Sequence, residues 1–238
     1  MSVWFCIPSI RPGGGTIPKW REAGYKIAVL RQGDPIEADI HIHTDVYLGW
    51  AASINRLMRT VFEADPTCDW CVSGGDDTLP DPTHTPEQIA YECGDHLGRS
   101  RVGPFAFQTF GVMQPTGDLK LWPASRIDTF AGSPWIGREF ARRAYGGKGP
   151  MFEGYIHMYG DQELQEVAQK LGVFWQRPDL IHQHNHCQRH NPHGAIGGDT
   201  VNLPGFLAAI YGPLHWQESK ALFYSRRAAG FPGHEPIP

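Results

Sequence analysis

The sequence has little of three features that would quickly assign a chain of this length to a broad class. Its 238 residues contain no apolar run approaching the roughly 20 residues of a membrane span. The opening MSVWFCIPSI lacks the basic segment of a secretion signal and reaches Pro8 too early for one. Its five cysteines are an odd number, which indicates reduced thiols rather than a disulfide framework. We therefore expect a cytoplasmic protein without a membrane span.

Charged residues are also sparse, and neither sign is in large excess. They make up 19% of the chain, the formal net charge is −4, and the isoelectric point is near 6.3. Because tight binding to any nucleic acid requires a basic surface, we expect no strong non-specific nucleic-acid binding. A hydrophobic content of 41% with 12% aromatic residues excludes a disordered chain.

What the sequence does contain is an alternation of short apolar runs with helical segments. Buried strands are predicted at VWFCIPSI, YKIAVL, DWCVSGG and FAFQTFGVMQ, and helices at TIPKWREAG, GWAASINRLMRTVFE and THTPEQIAYECGDHLG. The last of these helices begins with a capping box formed by Thr85 and Gln88, with Pro86 at its first position. The alternation predicts an α/β fold, with a mostly parallel central sheet flanked by helices, in a single domain over 1–238.

The second half of the chain continues the pattern. Helices are predicted at SPWIGREFARRAYG (133–146), DQELQEVAQKLG (161–172) and HWQESKALFYSRRA (215–228). Between the last two, VFWQRPDLIHQHNH is predicted to run as a strand into a histidine-rich loop. Asp161, which opens one of these helices, is a good candidate for an N-cap.

The stretch SGGDDTLPDP places two adjacent carboxylates, Asp76 and Asp77, at the carboxyl end of a predicted strand. Like charges side by side repel, so the pair needs either a compensating cation or a fully solvated turn. The glycines and prolines around it are typical of a turn. Ligands of α/β sheets, however, bind beyond the carboxyl ends of the strands, which makes a metal site the functional alternative.

Three histidines in HQHNH could complete such a metal site. His182, His184 and His186 alternate along a predicted strand, so their side chains are expected to point the same way. Mn²⁺ accepts imidazole as well as carboxylate oxygen, whereas Mg²⁺ prefers oxygen. The structural alternative for these histidines is a partly buried aromatic cluster.

Cys68 and Cys71 form a C-x-x-C pair, which raises the question of zinc. The segment CDWCVS is itself predicted to be the strand, and the two thiols are then expected to point to opposite faces. A zinc-binding interaction module using Cys187 and the histidines would require that strand prediction to fail.

Six segments, taken in order, resemble the sequence blocks of GT-A glycosyltransferases, closest to the family-2-like enzymes of bacteria and phages. These segments are IPSIRP, YLGWAASINRL, SGGDDTLPDP, GSPWIGREF, HMYGDQELQEVAQKLG and PDLIHQHNH. The resemblance implies a GT-A-like (Rossmann-like) fold, with residues 1–100 mainly binding the nucleotide sugar and 101–238 mainly serving the acceptor and catalysis.

The resemblance also implies roles for individual residues. Asp76 and Asp77 match the acidic motif that binds Mn²⁺ or Mg²⁺, although this sequence has GDDT where many relatives have a D-x-D triplet. His184 matches the late metal-ligand histidine, with His186 as the alternative. Asp161 matches the catalytic base of inverting members.

The nucleotide-binding region of the family corresponds to a further set of residues. Those residues are Pro8, Ser9, Arg11, Arg31, Asp34, Asn55 and Asp76. Each has a simpler alternative: the arginines as solvated side chains, and Asn55 as a packing or capping residue. Trp135 would stack on a sugar or anchor its helix, and the basic set Arg138, Arg142 and Arg143 would meet an anionic acceptor or face solvent.

The implied activity is that of a metal-dependent, inverting hexosyl- or pentosyltransferase. It would move a sugar from a nucleoside diphosphate donor, with a UDP-sugar as the first expectation, to a hydroxyl of a glycan or of a hydroxymethylated base of phage DNA. The alternatives are a nucleotidyltransferase that acts on sugar phosphates, for which RPGGGT is a faint phosphate-loop signal, and the zinc-binding module.

Overall fold

A seven-stranded sheet with the strand order β3-β2-β1-β4-β7-β6-β8 forms the centre of the molecule. The structure is a computed structural model, and it describes residues 1–99, 109–117, 132–184 and 213–237. A separate two-stranded ribbon joins β5 to β9. The strands are β1 (Ser2–Pro8), β2 (Lys26–Arg31), β3 (Ile40–His43), β4 (Cys68–Ser73), β5 (Thr78–Leu79), β6 (Val112–Pro115), β7 (Trp135–Gly137), β8 (Phe174–Arg177) and β9 (Gln183–His184).

Every neighbouring pair in the large sheet is parallel except those that include β7, which is antiparallel to both β4 and β6. The central strand β1 is buried on both faces, which explains its nearly continuous apolar sequence. The predicted α/β fold with a mostly parallel, helix-flanked sheet is therefore confirmed.

Six helices in the described part of the chain cover the two faces of the sheet. They are α1 (Ile17–Glu22), α2 (Trp50–Ala64), α3 (Pro86–Arg99), α4 (Arg138–Gly147), α5 (Gly160–Lys170) and α6 (Pro213–Ala228). Trp4 and Cys6 of β1 face the core under α2, α4, α5 and α6, whereas Val3, Phe5 and Ile7 face the core under α1 and α3. The period-two alternation of β1 therefore supplies both cores.

Local sequence signals predicted several of these elements well. α2 buries Ile54, Leu57, Met58 and Val61, the predicted apolar face. At the start of α3, the Thr85 N–H donates to Gln88 Oε1 over 2.9 Å, and the Gln88 N–H donates to Thr85 Oγ1 over 3.3 Å. The predicted capping box is confirmed.

Two element predictions are wrong. The segment 133–146 does not begin as a helix, because Trp135–Gly137 pairs with β4 as β7 and the helix starts only at Arg138. The segment predicted to run as a strand into a histidine-rich loop is interrupted within its described part, since β8 ends at Arg177 and Gln183–His184 leaves the large sheet to pair with β5. In both segments, pairing with a distant strand overrides the local pattern.

The two thiols of the C-x-x-C pair do not point to opposite faces, which corrects the sequence prediction. Cys68 Sγ and Cys71 Sγ lie 3.7 Å apart in the same buried core. Ser2 pairs with Cys68 but Val3 pairs with Trp70, so Asp69 is an extra residue in the strand. This β-bulge shifts the alternation by one position and returns Cys71 to the face of Cys68.

One edge of the sheet collects the ends of the parallel strands, and we call it the carboxyl edge. β1, β2 and β4 end there at Pro8, Arg31 and Ser73. α2 leads into β4 and α5 leads into β8, so both helices begin at the same edge. The Trp50 N–H at the start of α2 donates to Ile156 O over 2.7 Å, which ties the segment before α5 to α2.

A buried carboxylate joins α6 to α5. Glu163 is fully buried and accepts hydrogen bonds from Tyr145 Oη and Tyr155 Oη, both at 2.8 Å. Arg226 of α6 binds both oxygens of Glu163 at 2.7 and 2.8 Å, and its guanidinium lies over the ring of Phe152. Since the carboxylate has no access to water, these partners must supply all of its solvation.

We expect Glu163→Gln to lower the free energy of unfolding by about 3–5 kcal/mol, because it leaves the buried Arg226 charge uncompensated. The matched control is Glu166→Gln, one turn along α5. Glu166 pairs with Arg227 over 2.8 Å, but the Arg227 side chain is 54% exposed. This change should cost less than about 1 kcal/mol. Urea unfolding of both variants measures the difference, and equal costs would contradict the assigned role of Glu163.

Candidate functional site

Asp76 lies just beyond the end of β4 with both carboxylate oxygens engaged. Ser9 Oγ donates to Asp76 Oδ2 over 2.8 Å, and Arg11 Nε lies 2.8 Å from Asp76 Oδ1. Burial raises the pKa of Asp76, while the Ser9 hydrogen bond and the Arg11 charge act in the opposite direction. Three of the predicted nucleotide-site residues therefore form one cluster at the carboxyl edge.

The RPGGGT segment wraps closely around the acidic pair. Gly13, Gly14 and Gly15 all have positive φ, a conformation that L side chains rarely adopt. A Cβ atom on Gly15 would overlap the carbonyl oxygen of Asp76. The Thr16 N–H donates to that same oxygen over 3.0 Å. The glycines thus permit the backbone after β1 to contact the backbone after β4.

Asp77 faces the other side of the turn and meets His184. β5 and β9 pair antiparallel with Thr78 opposite His184, which brings His184 Nε2 to 3.2 Å from Asp77 Oδ1. Both side chains are largely buried, at 13% and 16% exposure. The short ribbon therefore brings a carboxylate and an imidazole together from positions more than a hundred residues apart.

His182 does not share the direction of His184, contrary to the prediction that the histidines point the same way. Its Nδ1 lies 3.2 Å from Ser133 Oγ, and Trp135 Nε1 donates to its Nε2 over 3.4 Å. Its ring also meets Trp20 edge-on. Burial lowers the pKa of His182 to about 3, so the ring is neutral. The aromatic-cluster alternative describes His182, and fully buried Trp135 anchors that cluster.

The remaining predicted nucleotide residues occupy different environments. Arg31 is buried at the end of β2, where its Nη1 donates to Arg11 O over 3.3 Å and its Nε has no hydrogen-bond partner in the described part of the chain. Pro8 ends β1, and Asp34 is exposed in the loop that follows β2. A buried guanidinium with an unused N–H suits an anionic or carbonyl-bearing ligand at this edge.

Asn55 has the contacts of the packing alternative. Its side chain is 1% exposed and donates to Met151 O over 2.8 Å and to Glu153 Oε1 over 3.0 Å. Its Oδ1 accepts the Met151 N–H over 3.1 Å. The side chain thus fixes the loop between α4 and α5 onto α2.

Asp161 lies in the first turn of α5, at the carboxyl edge, and is not the N-cap. The helix begins at Gly160, and the capping position belongs to Tyr159, which has a left-handed φ of 74°. Asp161 Oδ1 accepts the N–H of Gln162 over 2.9 Å. A carboxylate in this turn interacts favourably with the helix dipole, and this interaction replaces the predicted cap.

Two side chains that the sequence did not single out meet near the start of α5. Tyr47 Oη lies 2.8 Å from His157 Nδ1, which connects the loop after β3 with the segment before Asp161. The two residues are 110 positions apart, so no local pattern could have indicated the contact.

The basic set on α4 is not arranged for an acceptor at the carboxyl edge. Arg138 donates to the carbonyl oxygens of Phe62, Asp65 and Cys68, at the amino end of β4. Arg143 is buried and donates to Ile237 O. Arg142 remains exposed on the helix surface.

The side-chain types at the acidic turn suit a divalent cation, but their positions do not converge on one point. Carboxylate oxygens from Asp76 and Asp77 with an imidazole nitrogen from His184 are a set that Mn²⁺ accepts. Within the described residues, no group of three or more His, Cys, Asp or Glu side chains surrounds a common point, because Asp76 turns to Arg11 while Asp77 turns to His184. His186 and Cys187 lie outside the described residues.

Comparisons with known proteins give weak similarities in fold. No family model and no curated protein matches this sequence. A crystal structure of the catalytic domain of Drosophila β1,4-galactosyltransferase 7 with xylobiose has a TM-score of 0.48 and 17% identity, covering 83% of this chain and 75% of that one. A mutant of that Drosophila enzyme with manganese, UDP-Gal and xylobiose has a TM-score of 0.46 and 16% identity, covering 83% and 76%.

A third similar structure is a glycosyltransferase involved in the glycosylation of the major capsid of PBCV-1. Its TM-score is 0.35 at 11% identity, and the match covers 59% of this chain and 61% of that one. At these scores the conclusions about function rest on the residues of this chain. No helix in the described ranges is long and apolar enough to cross a membrane.

Asp81 fixes the segment that leads into β9. Its Oδ2 accepts the Ile181 N–H over 2.7 Å, and its Oδ1 accepts the N–H groups of Thr83 and His84, both at 2.8 Å. Burial raises the pKa of this carboxyl, but the hydrogen bonds from Ile181, His84 and Thr83 outweigh it and lower the pKa to about 2. Asp81 therefore holds the turn after Asp77 against the segment that carries His184.

The stabilisation from Asp81 should be pH-dependent. A folded-state pKa below the ordinary value of 3.8 means that the unfolded chain binds more protons between pH 3.8 and about 2. The contribution is then complete above pH 3.8 and is lost as the pH falls through 2, a change of about 2 kcal/mol. We expect the difference in unfolding free energy between the parent protein and Asp81→Asn to shrink by that amount from pH 5 to pH 2. A difference that does not change with pH would contradict this.

Proposed function

We propose that the protein is a metal-dependent glycosyltransferase that moves a sugar from a nucleoside diphosphate donor to an acceptor hydroxyl. The observation that carries the proposal is the cluster at the carboxyl edge: two adjacent carboxylates with His184 and Arg11, next to the buried, incompletely bonded Arg31. Ligands of α/β sheets bind at this edge, and a diphosphate needs this combination of a metal site and guanidinium groups.

Asp76, Asp77 and His184 would hold Mn²⁺ or Mg²⁺, with His186 as the alternative imidazole. When bound, the metal neutralises the negative charge that develops on the departing diphosphate. Arg11 and Arg31 bind the phosphate oxygens and orient the donor. The donor is a UDP-sugar in this proposal, and residues 1–100 form most of its site.

Asp161 acts as the general base. Its partly exposed carboxylate lies at the carboxyl edge, on a helix start fixed against α2. It takes the proton of the acceptor hydroxyl as that oxygen forms a bond to the anomeric carbon. The bond from the anomeric carbon to the phosphate oxygen breaks on the opposite side, so the configuration inverts and the nucleoside diphosphate leaves.

The acceptor is a hydroxyl of a glycan or of a hydroxymethylated base of phage DNA, in a site formed mainly by residues 101–238. A base in duplex DNA would have to be flipped out to reach Asp161. The product distinguishes this proposal from a nucleotidyltransferase, because sugar transfer releases a nucleoside diphosphate and nucleotidyl transfer releases or consumes pyrophosphate.

The donor site can be tested without an acceptor. We expect UDP with Mn²⁺ to stabilise the parent protein against thermal unfolding, by about 2.7 kcal/mol at a hundredfold excess over Kd. Asp77→Ala should abolish this stabilisation, because it removes a metal ligand and the partner of His184. The control is Asp69→Ala, at the opposite end of the same strand, which should keep it. An Asp77→Ala variant that binds Mn²⁺–UDP as tightly as the parent would show that the site is misplaced.

Asp161→Asn tests the general base. The amide keeps an oxygen for the Gln162 N–H, so the variant should unfold within about 1 kcal/mol of the parent, the value of the lost dipole interaction. An amide cannot take a proton, so transfer should fall by about a hundredfold to ten-thousandfold while donor affinity stays parental. Turnover is measured with a donor identified by screening nucleotide sugars and with a competent acceptor. Near-parental turnover would leave Asp161 with only a structural role.

A further inference from the structure

The Arg11–Asp76 ion pair occupies the carboxylate that the proposed function gives to a metal. Arg11 Nε lies 2.8 Å from Asp76 Oδ1, and Ser9 Oγ donates to Asp76 Oδ2 over 2.8 Å, so each oxygen already has a donor. The Asp76 side chain is only 16% exposed. A metal ion that reaches this carboxylate must therefore compete with an internal cation that is already in place.

A guanidinium and a divalent cation at this carboxylate compete for its negative charge. Two positive charges a few ångströms apart repel strongly where water is partly excluded. Asp76 and Asp77 together carry two negative charges, of which Arg11 already balances one. Binding of a metal to Asp76 therefore favours movement of Arg11 away from it, and the Arg11 side chain, which is 36% exposed, can move without unpacking the core.

Once a donor is present, its diphosphate is a second anionic group that the displaced Arg11 guanidinium can bind. Arg31 Nη1 donates to the carbonyl oxygen of Arg11, so the two arginines are neighbours at the ends of β1 and β2. A diphosphate that approaches the acidic turn would lie between the metal ligands and this pair. Guanidinium groups bind phosphate oxygens through paired N–H donors, which replaces the lost carboxylate contact.

We propose that Arg11 is an exchangeable counter-ion: it neutralises Asp76 in the metal-free protein and transfers to the donor's diphosphate when metal and nucleotide bind together. This inference rests on the proposed function. The exchange opposes metal binding alone and favours binding of the metal–nucleotide complex. Metal and nucleoside diphosphate are then positively coupled through one side chain, and the coupling is reciprocal. The exchange would weaken the binding of a divalent cation when no donor is present.

The test measures binding of Mn²⁺ to the full chain by the electron paramagnetic resonance signal of free Mn²⁺, which does not depend on activity. We expect Arg11→Gln to bind Mn²⁺ alone about tenfold more tightly than the parent, because the competing cation is gone. At saturating Mn²⁺, the same variant should bind UDP about tenfold more weakly than the parent does, because the phosphate loses a guanidinium. Arg11→Met, which also removes the charge, should behave in the same way and guards against a folding defect of one variant.

Lys19→Gln is the matched control, since Lys19 is an exposed cation on α1 that pairs with Glu22 and not with Asp76. It should leave both affinities at the parental value. One outcome separates the two proposals. If the parent binds both Mn²⁺ and UDP, but Arg11→Gln and Arg11→Met bind Mn²⁺ alone no more tightly than the parent does, the counter-ion role is overturned and the proposed function stands. A parent that binds neither Mn²⁺ nor UDP with Mn²⁺ overturns both.

Discussion

Two adjacent carboxylates follow a central strand of the sheet, and the arrangement of the carboxyl edge depends on how their negative charges are compensated. Asp76 and Asp77 follow β4, which is buried at its carboxyl end, so water can solvate them only in part. The chain separates them: Asp76 turns to Arg11 and Ser9 after β1, and Asp77 turns to His184 on β9. Each contact draws a distant segment to the same place, and together they bring carboxylate, imidazole and guanidinium groups to the carboxyl edge.

Elements defined by local signals could be predicted from the sequence. The apolar periodicity of α2 and the reciprocal hydrogen bonds at the start of α3 need no information from elsewhere in the chain, and both are present. The double-sided burial of β1 likewise follows from its continuous apolar run, which is typical of a central parallel strand. The alternation of such strands and helices was enough to predict the fold class and to place the acidic pair at the carboxyl edge.

The remaining features depend on tertiary partners. Trp135 begins a segment with good helix signals but pairs with β4, where its indole is buried beside His182. The pairing register against β1 determines the bulge at Asp69. A period-two sequence pattern does not reveal it. Similarly, the residue types suggested that Asp76 binds a cation, but only the folded chain shows that Arg11 already supplies one. The sequence could therefore place the acidic pair at the carboxyl edge, but it could not show which side chain each carboxylate contacts.

The two carboxylates at the start of α5 show how position within a helix gives neighbouring acidic residues different environments. Glu163 faces the interior, where two tyrosines and Arg226 supply its solvation and bind α6 to the helix. Asp161, two residues earlier, lies on a partly exposed face and accepts the N–H of its own neighbour. Tyr159 keeps its left-handed conformation because its ring is held in the core, against Phe223 of the same α6. The buried network thus fixes the orientation of the first turn, and with it the position of the partly exposed Asp161 carboxylate.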